Sequence, residues 1–127
     1  MSNWTSSDWN ATSLEYYSPS SSITDSPGSG NDYNNNDVNT INLDNTIDLT
    51  GAISAHLSFW AKWDIEAGYD YTQLQVSTDG GTSWIPQCGK YTSTGNADQD
   101  QGNPLWDGTQ NTWVKEEIDL SDYFGQV

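Results

Sequence analysis

The sequence predicts an all-β protein, an antiparallel two-sheet jelly-roll β-sandwich, and three observations carry that prediction. From Ile53 to Ile65 the odd positions are apolar and the even positions polar, with Trp60 alone out of pattern. Such period-2 alternation describes a strand with one dry and one wet face, whereas on a helix the same residues would wrap all round and leave no stripe. Clusters of Gly, Asn, Asp, Ser and Pro recur between apolar runs and mark out about seven short strands. Finally, only 33% of the residues are hydrophobic, but they include seven Trp, seven Tyr and two Phe. Each ring buries roughly 150–250 Å², so a few of them fill a thin sandwich core.

Taken in order, residues 1–40 mix rings and aliphatics with polar tracts such as Ser18-Pro19-Ser20 and Asn34-Asn35-Asn36. They read as short strands or extended arms joined by loops, with Trp4, Trp9, Tyr16 and Ile23 expected on the core. Ile41, Leu43, Ile47 and Leu49 then alternate as a strand pair or one kinked strand, which Thr50-Gly51 ends. The long alternating strand follows. A short connection through Gly68 leads to a return strand over 69–78, with Thr72, Leu74 and Val76 on its dry side. Asp70 shares their parity and is the odd member of that face. Residues 87–110 show little periodicity and read as a long excursion anchored by Tyr91, Leu105 and Trp106. Trp113–Leu120 supplies a further inward face from Val114, Ile118 and Leu120, interrupted by Glu116.

The length of 127 residues suits one β-sandwich domain over 1–127, with residues 1–21 as an extended arm. Three Lys, no Arg and eighteen acids give a formal charge of −15. Phosphate backbones and anionic headgroups are repelled by such a surface, which argues against nucleic acid and membrane partners. No apolar run approaches the ~18 residues needed to span a bilayer, and the first residues lack the pattern of a signal peptide. The expectation is a segment of a longer secreted protein. Cys88 is the sole cysteine, so the domain holds together without an internal disulfide.

Several constellations bear on chemistry. Ser77-Thr78-Asp79-Gly80-Gly81-Thr82-Ser83-Trp84 fits S-x-D-x-G-x-[ST]-W and resembles the Asp-box of sialidases and many secreted bacterial proteins. Its physics is local: the glycines allow positive φ, the Asp79 carboxylate accepts turn amides, and Trp84 folds back as an anchor. Ser77, Asp79, Gly81 and Trp84 are therefore structural turn residues, and no catalytic residue is assigned. His56 is the only His and falls on the polar face of its strand, so neither a His/Cys zinc cage nor a Ser-His-Asp triad has its parts. Asp64, Glu66 and Asp70 surround one strand connection, and Asp25 lies in Thr24-Asp25-Ser26-Pro27. These suit calcium, which takes six to eight oxygens, better than an acid and base pair; loop-capping acids are the competing explanation. A carbohydrate platform is the other candidate, with Trp60, Tyr69 and Tyr71 on a non-core face and Trp106 joining from the excursion.

Five motifs in order, S-I-T-D-S-P from Ser22, I-D-L-T-G-A from Ile47, L-S-F-W-A-K-W-D-I-E from Leu57, the box, and W-V-K-E-E-I-D-L-S-D-Y-F-G-Q from Trp113, resemble one module. It is the jelly-roll domain attached to secreted bacterial metallopeptidases, including immune-inhibitor-A-like peptidases and zinc carboxypeptidases, and it is similar to MAM-type sandwiches. The resemblance spans about Ser22 to Gln126. It implies an extracellular, non-catalytic accessory domain, with zinc held in a separate upstream catalytic domain and none here. It also implies a structural calcium, carried over to Asp25 and Asp70 and more weakly to Glu66. The partners implied are that catalytic domain and a protein or polysaccharide substrate. The polar stretch 96–103 has no counterpart in the resemblance.

Overall fold

A computed structural model describes residues 3–27 and 32–126. Apart from one 3-10 turn at Ser121–Tyr123 the regular secondary structure is β, all of its ladders are antiparallel, and no α-helix occurs among the described residues. This is the β-sandwich class the alternation predicts. The chain divides into two compact units, the first ending at Ile47 and the second starting at Asp48.

In the first unit β1 (Trp4–Ser6) pairs with β4 (Ile41–Leu43), and β2 (Asn10–Thr12) with β3 (Ser22–Thr24). Three-residue strands hold few ladder bonds, so flanking groups extend them. Asp44 N–H donates to Asn3 O at 3.0 Å, Ser7 N–H to Thr40 O at 3.0 Å, and Thr5 Oγ1 to the Asp44 carboxylate at 2.6 Å. The expectation that Trp4, Tyr16 and Ile23 contact a core is not met, because each stays more than two-fifths exposed. Ladders this short bury little on either face.

The second unit is built on β5 (His56–Ile65) and β10 (Gly108–Asp119). They pair from His56↔Asp119 to Ile65↔Gly108, with a bulge between Gln110 and Val114. The predicted parity is realised: Leu57, Phe59, Ala61, Trp63 and Ile65 are turned inward, while His56, Ser58, Trp60 and Asp64 are exposed. The strand starts later than the alternation indicates. Ile53 is 95% exposed, since the chain turns at Leu49–Ala52, where Gly51 takes φ of 77° and Ala52 N–H reaches Leu49 O.

Between these long strands lie β6 (Gln75–Val76) with β7 (Ile85–Pro86), and β8 (Ser93–Thr94) with β9 (Pro104–Leu105). The sequence reading treats 87–110 as an irregular excursion and misses the second pair, because two-residue strands are too short to show a period. Thr72, Leu74 and Val76 do turn inward, with Thr72 bridged to Trp106. Asp70 is corrected: it is exposed, and it belongs to the turn in which its N–H bonds Glu66 O, ahead of the strand proper.

Leu105 and Ile118 are fully buried and Trp106 nearly so, with Phe59 edge-on to Trp106 at 6.2 Å and 71°. At their centre is a charged residue. Glu116 has the inward parity of Val114 and Ile118 and is itself 0% exposed.

Candidate functional site

Glu116 enters the core because β10 alternates, and a buried carboxylate persists only where donors surround it. Four do. Oε1 accepts the N–H of Lys90 and that of Glu117, the latter at 2.8 Å. Oε2 accepts Tyr91 N–H at 3.0 Å and the Trp106 indole N–H at 2.9 Å. The carboxylate thus ties the Gly89–Tyr91 loop to the edge of β10, where Gly89 bridges Ile118. A Cβ on Gly89 would lie 2.8 Å from Glu116 Cδ, so only glycine lets the loop approach. With both oxygens saturated, this carboxylate is a strut.

Asp107 is a second hub. Its Oδ2 accepts Gly68 N–H at 2.9 Å and Gln99 Nε2 at 3.1 Å, and its Oδ1 accepts Ser93 Oγ at 3.2 Å. The Gly68 amide above all holds its carboxyl below the usual range, against partial desolvation. Around it the 96–103 stretch is ordered by its own bonds, including Asn96 Nδ2 to Gly68 O and Gln73 Nε2 to Asp100 Oδ2. The stretch that the resemblance leaves unassigned is therefore a brace on the 66–73 turn.

In the 77–84 turn Asp79 gathers the local donors, while Trp84 stays 46% exposed. Asp79 Oδ1 accepts Ser77 Oγ and the N–H groups of Thr82 and Ser83, while Oδ2 accepts Ser83 Oγ at 2.6 Å. Bonding by Ser83, first through its hydroxyl and then its amide, brings the Asp79 carboxyl down to about 2. Gly80 and Gly81 take φ of 71° and 87°, and the Trp84 ring lies 3.5 Å from the position of a Cβ on Gly81.

The other predicted residues separate. Trp60, Tyr69 and Tyr71 are 40%, 61% and 43% exposed, but Trp106 does not join them, being 6% exposed with its indole N–H spent on Glu116. Asp25 belongs to the first unit, where it accepts Ser26 Oγ, whereas Glu66 and Asp70 flank one turn of the second. No group of three or more His, Cys, Asp or Glu side chains suited to a metal occurs among the described residues. Sequence reasoning passed over Glu116 and Asp107. The first had a signal, its parity with Ile118; the second, beside Gly108 in a polar stretch, had none.

A family model for the Immune inhibitor A-like, MAM domain matches residues 13–127. The chain belongs to this family. As an Immune inhibitor A-like MAM domain it is similar to Immune inhibitor A of Bacillus thuringiensis subsp. alesti, at 31% identity over 80 residues, 62% of this chain. That match covers 10% of the relative, so the MAM domain spans a small part of the protein it resembles. No solved structure matches the chain.

Proposed function

We propose that this domain is a non-catalytic accessory module of a secreted bacterial metallopeptidase, in which it stabilises or positions the catalytic domain and contacts substrate or the cell surface. The family match over 13–127 carries the reading. The use of the carboxylates supports it, since Glu116, Asp107 and Asp79 all spend their oxygens on internal donors. A general acid or base needs a carboxyl that exchanges a proton with substrate. Comparing the parent protein with and without this segment tests the role: deletion should lower its thermal midpoint or its turnover of protein substrate. Unchanged values for both, or peptide hydrolysis by the isolated domain, would sink it.

A second reading, carbohydrate binding, is favoured by the exposure of Trp60, Tyr69 and Tyr71. Rings held on strands and tight turns offer apolar faces to pyranose CH groups at little entropic cost. Calcium, if held, would sit at the 66–70 turn with Glu66 and Asp70 as its carboxylates and water or loop oxygens for the rest. A midpoint raised by calcium, reversed by EDTA and lost in Asp70→Asn supports that site, and an unmoved midpoint removes it.

A further inference from the structure

Every lysine of this acidic chain stands beside an aromatic ring, and all three lie in the second unit around the outward face of the β5/β10 ladder. Trp60 is directly opposite Lys115 in the register, which sets their side chains next to each other on the exposed face. Two residues along β5, the Lys62 ammonium lies 5.8 Å from the centroid of the Trp113 ring. On the loop that Glu116 fastens to β10, the Lys90 ammonium lies 5.3 Å from the Tyr91 ring. Lys90 belongs with this face electrostatically. Glu117 is held below the usual range first by its bond to Lys115, and the charges of Lys90 and His56 add to the effect.

The same face carries acids, each with a local partner. Glu117 pairs with Lys115 at 2.9 Å, Asp64 accepts Thr109 Oγ1 at 2.8 Å, and Asp119 accepts Ser121 N–H at 2.9 Å. The Lys115–Glu117 pair is exposed on both sides, so a ligand anion replaces it at small cost.

We infer that this face binds a carboxylated polysaccharide, a chain of pyranose rings bearing carboxylates. The inference rests on the carbohydrate-binding reading for the sugar ring and adds the carboxylate. A ring packs against the apolar face of a pyranose, and the ammonium beside that ring meets the acid group of the same sugar. A neutral glycan would engage the rings and not the ammonium groups beside them. A nucleic acid brings a charge every ~1.7 Å, far denser than three lysines neutralise on a chain of net charge −15. At about 0.15 M salt the screening length is about 8 Å, so acids beyond this face are hidden from a ligand seated here, while Asp64, Glu117 and Asp119 on the face itself are not.

The test titrates the whole chain with hexagalacturonate, its full methyl ester and cellohexaose at about 0.15 M salt, read by tryptophan fluorescence. Saturable binding of the acid about tenfold tighter than the ester is expected, from two or three exposed ion pairs. K62Q/K115Q should bring the acid down to the ester's affinity, while K62R/K115R keeps the preference; both should retain the parent thermal midpoint. Equal binding of acid and ester overturns the carboxylate inference and leaves sugar binding standing. No saturation with any of the three removes both, and undiminished acid preference in K62Q/K115Q places the site elsewhere and overturns this one.

Discussion

Glu116→Gln keeps the size and shape of the buried side chain and replaces one carboxylate oxygen by an amide nitrogen. Each oxygen now accepts two donors, Lys90 and Glu117 amides on Oε1, Tyr91 amide and Trp106 indole on Oε2. Whichever way the carboxamide turns, two donors, buried or part-buried, lose their acceptor and face an NH2 group. At about 1–3 kcal/mol for each unsatisfied buried group, the cost is about 2–6 kcal/mol, and the two surviving bonds weaken when the acceptor loses its charge. That is a large share of the ~5–15 kcal/mol typical of a small domain. The melting midpoint should fall by roughly 8 °C or more, at about 4–8 °C per kcal/mol for a unit of this size. Urea unfolding followed by tryptophan fluorescence measures it, with the exposed neighbour substitution Glu117→Gln as a control expected within about 0.5 kcal/mol of the parent. A Glu116→Gln protein as stable as that control would refute the strut.

Other expectations follow from the same geometry. Gly89→Ala pushes a methyl group to 2.8 Å from Glu116 Cδ, and should cost about 1–3 kcal/mol in urea unfolding, less than additively with Glu116→Gln because the two act on one contact. Asp79, whose carboxyl is lowered from 3.8 to about 2, stabilises the hairpin fully above its unfolded value, and that contribution is lost as pH falls through the folded one. Carboxyl NMR titration should place its midpoint near 2, and Asp79→Ala should speed exchange of the Thr82 and Ser83 amides; a midpoint near 4 contradicts the bonding. Asp107→Asn keeps one oxygen for the donors of Gly68, Gln99 and Ser93, so Gly68 should exchange about tenfold faster or more while the Thr82 amide stays unchanged. Equal protection at Gly68 in the two proteins argues that the brace does not depend on Asp107.

Some of this architecture was legible residue by residue. The β5 parity, the inward Thr72, Leu74 and Val76, and the Asp79 hairpin are local: backbone period and turn chemistry settle them within a few residues. Asp70 and Ile53 show where locality misleads, since both carry the correct parity for a strand that has not yet begun. The order of motifs also carried the family, which the match over 13–127 bears out.

What the sequence determined by itself was the all-β class, the face of each long strand, the box turn and the acidic character. Tertiary structure alone decided that Glu116 is a strut, that Trp106 is core, that Asp107 braces the 96–103 stretch, and that the lysines gather around one ladder face. The reason is separation along the chain. Glu116 finds Lys90 across 26 positions and Asp107 finds Gly68 across 39. No pattern within either segment encodes such a partner, because the contact exists only once β5 and β10 have paired and the loops have closed on them.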